Sequence, residues 1–590
     1  AAVTAASVTT DASGTTAMNG GTITTTGAQT YNDAVTLGAA TTLTSSSSGA
    51  INLASTINGA QTLAINTAGA TTFGGAVGGT TALTSVTTDA AGTVVINGGA
   101  VTTSGAQTYN EAMTLGADTT LSASSITTGS TMAASSTYAI TLTTDAISLG
   151  GAVSGTGALI IQPKTVSTTI GIGTDAAGTL SLNDTEIGYL SNGFSGITLG
   201  SSSGTGNIAI NFATVPTFAD NLTVRSSSGT ITATDALNTS TNTLTISSGA
   251  AVSVAGITSG TLAITGTGIT LNGNITTTGT QTYTGAVTLG DAIALTSNNN
   301  TITFSGSSST INGAKAFTVN AGSGAINFGG VVGGSSVLAS LDLTTTHATG
   351  ITLSGNITTT GAQAYNGNVV LANNTTLATT NSDVSFGGTL NGNAAGRTLT
   401  ITAGTGAVTL TGAVGGSYAL GATAITAATT TNSSTWVGNS AALTITGNAV
   451  VNGAISGMTT VSVSGTANIA ANITSSGNQA YTGAVTITGS AVTLNAGSTG
   501  TVLFSSTVNS AANVGNTASA ANPLTVTSSS GNITFTGIVG GATNGALGAL
   551  TVNTSGTTTF SAAVTAASVT TNAGGTTAIN GGTITTTGAQ

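Results

Sequence analysis

The chain has 590 residues, 3% of them charged and 39% hydrophobic, with a mean hydropathy of +0.38 and a formal net charge of −10. Disorder needs low hydrophobicity with high charge, a membrane helix needs about 18 consecutive apolar residues, and nucleic-acid binding needs a basic patch. Four Lys and Arg against 14 Asp and Glu, with aliphatic residues dispersed singly among Thr, Ser, Asn and Gly, supply none of the three.

In chain order, the first residues, Ala1-Ala2-Val3-Thr4, carry neither an initiator Met nor a basic leader, so a segment of a longer protein is expected. Cysteine is absent throughout, which leaves packing and backbone hydrogen bonds to hold the fold. Short β-strands are predicted wherever apolar and polar residues alternate, as in Thr22-Ile23-Thr24, Ile269-Thr270-Leu271 and Leu399-Thr400-Ile401-Thr402. Thr and Val suit such strands because both are β-branched. Strands end at Asn-Gly pairs (Asn19-Gly20, Asn58-Gly59, Asn97-Gly98, Asn272-Gly273, Asn452-Gly453) or at Gly-Gly, which tolerate positive φ. No helix is predicted, because Gly, Thr and Ser interrupt every Ala-rich stretch.

Two motifs recur. Gly27-Ala28-Gln29-Thr30-Tyr31-Asn32 followed by Ala34-Val35-Thr36-Leu37-Gly38 returns around Gln107, Gln281, Gln363 and Gln479, and Gln590 begins a sixth copy. The spacings of 78, 174, 82, 116 and 111 lie near whole multiples of roughly 20 residues, the size of one solenoid coil. Phe73-Gly74-Gly75-Ala76-Val77-Gly78-Gly79 returns at 328–334, 413–416 and 535–541. A longer period is also present: Val3 to Gln29 matches Val564 to Gln590 at an offset of 561, with three differences in 27 positions. The expected organisation is one continuous array over residues 1–590, holding a 561-residue super-repeat and an overlap. Degenerate coils or a surface loop are expected around 157–225, where Pro163, Lys164, Tyr189, Pro216 and Arg225 break the pattern.

Short strands could also build separate β-sandwiches. A sandwich core wants large hydrophobes, whereas this chain has one Trp, 11 Phe and 8 Tyr, and no linker separates domain-sized blocks. A 20-residue coil costs on the order of 30 kcal/mol of conformational entropy to order. It recovers that only when neighbours cover both of its edges. The predicted fold is therefore all-β: an elongated parallel β-helix (β-solenoid), right-handed, with coils of about 20 residues.

The Gln-x-Tyr blocks, Gly-Ala-Gln-Thr-Tyr-Asn-Asp-Ala-Val-Thr-Leu-Gly at 27–38 and its copies, resemble those of large bacterial exoproteins of the filamentous haemagglutinin type. That resemblance implies a right-handed parallel β-helix exported through an outer-membrane partner and used in adhesion or as matrix. The secretion domain of such proteins is not recognisable here.

Three candidate chemistries are set against simpler readings. His347, the only histidine, lies near Asp342, but Ser is so abundant that a Ser-His-Asp set carries no information, and an exposed ladder residue is the expectation. Asp184 and Glu186, two apart, would face one side of a strand and could serve as paired acid and base or bind a cation; solvated turn residues are expected instead. Thr-x-Thr spacings raise ice binding, and sequons such as Asn274-Ile275-Thr276 raise glycosylation. No catalytic, cofactor-binding or metal-ligating residue is expected, nor any cofactor or enzymatic activity. The expected function is a secreted structural or adhesive fibre at the bacterial cell surface, self-associating into filaments or an end-to-end array and meeting a surface carbohydrate or other cell-surface ligand, with no nucleic acid and no membrane span. The alternatives are a carbohydrate-binding or carbohydrate-cleaving β-helix and an ice-binding Thr-rich solenoid.

Overall fold

The computed structural model describes residues 1–511, 521–543 and 545–588. The expected fold is borne out: parallel strands stack in a right-handed β-solenoid of about 27 turns, with about 21 residues per turn and almost no helix. The chain forms two compact units, Ala1–Gly285 and Ala286–Gln590.

Within each unit a turn contributes one short strand to each of three faces. In the first unit, Val3–Ala5, Thr22–Thr25, Thr41–Ser45 and Thr62–Thr67 stack on the first face. Val8–Thr9, Gln29–Tyr31, Ile51–Leu53 and Ala70–Phe73 form the second, and Thr15–Met18, Ala34–Leu37 and Ile57–Asn58 begin the third. Parallel register aligns like with like, as in the column Val3, Ile23, Leu43 and Ile65. Alternation then does what the sequence pattern requires: in Thr41–Ser45 and Leu222–Ser226 every second residue is buried.

The second unit is built the same way. Its first face runs through Phe317, Leu341, Gln363, Val384 and Val408, its second through Ile351, Val369, Leu390 and Val414, and its third through Ile357, Leu377, Ile401 and Ile425. Farther along the third face, the rings of Tyr481, Phe504, Phe535 and Phe560 stack at 5.4, 4.8 and 5.2 Å, all within 17° of parallel.

Corners are tied from turn to turn by asparagine. The Oδ1 atoms of Asn356, Asn472 and Asn532 each accept the backbone N–H of Thr376, Thr493 and Thr557, one turn on. These three stand in Asn-Ile-Thr sequons like that of Asn274, and the Ile that follows each Asn is buried. Such a side chain satisfies an amide at the start of the next turn's strand, just before the ladders Ile357–Leu377, Ile473–Leu494 and Ile533–Thr558 begin.

Around 157–225 the solenoid is rebuilt rather than simply degenerate. The initial runs of strands on the first and second faces end at Ile147–Leu149 and Val153–Ser154, while the third continues from Ala158–Gln162 directly to Gly196–Ser201. The intervening segment adds Ile170–Ile172, which pairs in parallel with both Leu180–Leu182 and Ile208–Ile210, and a short helix, Asp184–Gly188. That helix corrects the expectation of none. Asn183 caps it and Glu186 returns the bond to the cap, a reciprocal arrangement visible in the sequence as Asn-x-x-Glu.

Candidate functional site

The most conspicuous repeated constellation is polar and lies inside the solenoid. Gln29, Gln107, Gln281, Gln363 and Gln479 are all fully buried, as is each Tyr two residues on. A strand alternates its side chains, so Gln and Tyr at i and i+2 point inward together. In every copy the Tyr hydroxyl donates to Gln Oε1, at 2.9 Å for Tyr31, Tyr283 and Tyr365, 3.0 Å for Tyr481 and 3.2 Å for Tyr109. The Gln amide donates to the hydroxyl four residues earlier, which is Thr25, Thr103, Thr277, Thr359 or Ser475. It also donates to a carbonyl of the next turn: Thr44, Ser122, Ala378 and Asn495 accept at 2.8–3.0 Å from Gln29, Gln107, Gln363 and Gln479.

The hydroxyl at i−4 donates in turn to the carbonyl of the Gly two residues after it, at Gly27, Gly105, Gly279, Gly361 and Gly477. The full motif is thus Thr/Ser-x-Gly-x-Gln-x-Tyr, and its first two positions were legible in the same sequence blocks. It ties a corner, a strand and the turn above into one buried network in which every polar atom has a partner. Burial pushes the phenols of Tyr31, Tyr109, Tyr283, Tyr365 and Tyr481 above their usual range, so they stay neutral donors. The sixth block begins at Gln590, outside the described residues; Thr586 already donates to Gly588 as its counterparts do.

The 78- and 116-residue glutamine spacings are not whole numbers of turns, which corrects the sequence reading of them. Gln29 sits on the second face, and three turns later that column reaches Val94; Gln107 follows two strands beyond, on the first face. The step is three and two-thirds turns. Gln363 lies on the first face of its unit and Gln479 on the third, five and two-thirds turns on. The Gly-Gly motif moves likewise: Val332 is on the third face, Val414 on the second and Val539 on the first. Repeats therefore advance by thirds of a turn and present each motif on different faces.

The two acidic side chains, Asp184 and Glu186, each bind backbone amides. Asp184 accepts the N–H groups of Thr174, Ala213 and Thr214, and these bonds hold its carboxyl below the usual range against the opposing effect of desolvation. Glu186 is buried; Oε1 accepts Leu149 N–H at 2.9 Å, and Oε2 accepts Asn183 N–H at 3.0 Å. The two do not share a strand face, because they sit in the first turn of the helix. Both are spent on backbone amides, with Glu186 replacing the strand that would otherwise cover Leu149. His347 Nδ1 bonds the N–H and hydroxyl of Thr349, while Asp342 accepts from Asn366, so the two do not form a pair. Trp436 is buried in the second-face column between Val414 and Ile455. Among the described residues no group of three or more His, Cys, Asp and Glu side chains could hold a metal.

The outward Thr columns are interrupted. On the first face of the first unit the order is Thr22, Thr42, Ala64, Thr87, Thr108, Thr127, Ser148, and the neighbouring column reads Thr24, Thr44, Asn66. On the third face Ile160 interrupts Thr120, Thr141, Thr198 and Thr223. No protein-family model, curated protein or solved structure matches the chain.

Proposed function

We propose that the chain is part of a secreted structural or adhesive fibre, built from tandem super-repeats or from copies stacked end to end, at the bacterial cell surface. The observation that carries this reading is the way the 561-residue repeat folds. Val3 pairs with Ile23 and Ala5 with Thr25; Val564 pairs with Ile584 and Ala566 with Thr586. Gly27 N–H donates to Ala6 at 2.7 Å, and Gly588 N–H to Ala567 at 2.8 Å. A duplicated sequence that returns to the same register suits indefinite extension, since each solenoid turn is stabilised by its neighbours. The carboxylates at 184 and 186 serve the backbone, which favours a mechanical role over catalysis. The resemblance of the Gln-x-Tyr blocks to filamentous haemagglutinin-type exoproteins points the same way, as does the scarcity of Lys and Arg for trypsin-like proteases. Among the described residues no helix is long and apolar enough to cross a membrane. The partners are other copies, with a surface carbohydrate as ligand and no nucleic acid.

Electron microscopy with diffraction from the native assembly tests this reading. Filaments with an axial reflection near 4.8 Å, the strand spacing, are expected; separate globular particles would overturn it. Carbohydrate binding is the second reading, favoured by a groove of about 500 Å³ edged by Thr169, Thr179, Asn207, Thr230 and Thr232. Hydroxyls and an amide without a charge suit a neutral sugar. The broken Thr columns disfavour ice binding.

A further inference from the structure

Charge is divided very unequally between the two units. Eleven of the 14 acidic residues and two of the four basic ones lie in Ala1–Gly285, leaving a formal charge of −9 there. Ala286–Gln590 holds Asp291, Asp342 and Asp383 against Lys315 and Arg397, a formal charge of −1 over 305 residues. Net charge keeps copies apart, and its loss permits association. The second unit has almost none, and Lys315 lies 3.9 Å from Asp291, so part of the little charge present is internally paired.

The same unit exposes large apolar side chains around its circumference. Ile538, 44% exposed, precedes Val539 of the first face; Tyr418, 52% exposed, lies in the loop leaving Val414 of the second; Leu503, 39% exposed, points outward from the third. Ile538 and Tyr418 belong to Gly-Gly loops on different faces, whereas Leu503 is the outward residue of a strand. A surface with only five charged side chains over 305 residues, and an exposed apolar side chain beside each face, fits another surface of the same kind.

We propose that the 286–590 unit is a lateral self-association surface whose partner is the same unit of a second copy of this chain. This rests on the fibre reading and adds to it: three usable faces let one copy hold more than one neighbour, so filaments bundle. The charged 1–285 unit opposes such contact through repulsion that salt screens over about 10 Å.

The test uses the full chain, examined by sedimentation and electron microscopy at low and high salt. Bundled, multimeric material is expected, with association strengthened by salt. The combined variant Tyr418→Glu, Leu503→Glu, Ile538→Glu should weaken association about tenfold or more at low salt and recover partly at high salt. Circular dichroism checks that its fold is intact. Val166→Glu with Val215→Glu, at exposed positions of the first unit, should leave association unchanged. An unaffected triple variant, or an equal loss in the first-unit variant, would overturn the proposal. Single unbundled filaments of the unaltered chain would also overturn it while leaving the fibre reading intact, whereas isolated globular particles would remove both.

Discussion

Asp33 and Glu111 stand at the same position of two Gln-x-Tyr blocks, and their surroundings drive their carboxyls in opposite directions. Asp33 accepts hydrogen bonds from Thr10, at 2.7 Å, and from Thr16, and the Thr10 bond above all holds its pKa below the usual value. The one side-chain hydroxyl that donates to Glu111 is Thr88, the counterpart of Thr10, at 2.6 Å; Val94 stands where Thr16 would be, and Glu111 Oε1 is buried without a hydrogen-bond partner. Desolvation therefore raises the pKa of Glu111, with Asp89 adding like-charge repulsion. Tyr109 is the other titratable group that senses this carboxyl, and it stays neutral.

The sign of the pH dependence follows. The folded state holds the Glu111 proton more tightly than the unfolded chain, so its contribution is complete below the ordinary value of 4.5 and is lost as pH rises through the raised folded value. Asp33 contributes oppositely: its stabilisation is present above 3.8 and is lost on acidification through its lowered folded value. Hydrogen exchange of strands Ala106–Tyr109 and Ala112–Leu115 should slow as pH falls toward 4.5, after correction for intrinsic rates. Glu111→Gln should abolish that dependence. Val94→Thr should restore the second donor and move the Glu111 pKa back down, measurable by NMR titration; an unchanged titration would refute this account.

The glutamine clamp predicts a non-additive pair. Gln363→Leu strands the Tyr365 hydroxyl and the Ala378 carbonyl in the core, and each orphaned group costs about 1–3 kcal/mol. Tyr365→Phe alone leaves Gln363 Oε1 without its donor. The double variant Gln363→Leu, Tyr365→Phe removes both ends of that bond and should cost less than the two single changes added together. Denaturant unfolding of all three variants measures this, and strict additivity would show that the bond is not a unit.

The architecture was legible because alternation and β-branched content dictate half-buried strands, as Leu399–Thr402 shows with its strict inward–outward pattern. The Gln-x-Tyr block was legible as a repeat, but its chemistry was not, since Gln29 reaches a carbonyl of the next turn that only the fold brings near. The turn advance by thirds was hidden for a related reason: turns vary in length, so Leu443 pairs with Val461 while Phe317 pairs with Leu341, and spacing alone does not count strands. Asp184 and Glu186 were expected as solvated turn residues; Asn183 instead starts a short helix whose first turn carries both, and Glu186 is buried there.

Glu186 offers a third test. Both of its oxygens accept backbone N–H groups, from Leu149 and Asn183, so an amide of the same shape presents a donor to one of them. Glu186→Gln should open the Leu180–Leu190 segment locally, seen as faster hydrogen exchange at Leu149 or Asn183, with little change elsewhere. Asp184→Asn, at a more exposed position, should have the smaller effect; the reverse order would contradict the assignment of Glu186 as the cover of Leu149.

Within one Gly-Gly pair the two residues should respond differently to the same change. Gly78 has φ +69°, and a Cβ there would lie 2.1 Å from the Thr102 carbonyl oxygen of the next turn. The equivalent Gly333, Gly415 and Gly540 have φ of +70 to +72°, with the same oxygen position 2.0–2.1 Å from their Cβ. Backbone strain of this kind costs of order 1–3 kcal/mol, and the collision with a hydrogen-bonded strand adds to it. Gly79 has no positive φ, and its Cβ would meet only the Ala76 methyl, at 3.6 Å. Gly78→Ala should therefore destabilise the turn by about 2 kcal/mol or more, and Gly79→Ala should fall within about 0.5 kcal/mol of the parent. Thermal or denaturant unfolding compares the two directly. Equal losses would mean that the pair is conformationally interchangeable and that the close approach of successive turns at this corner does not select glycine.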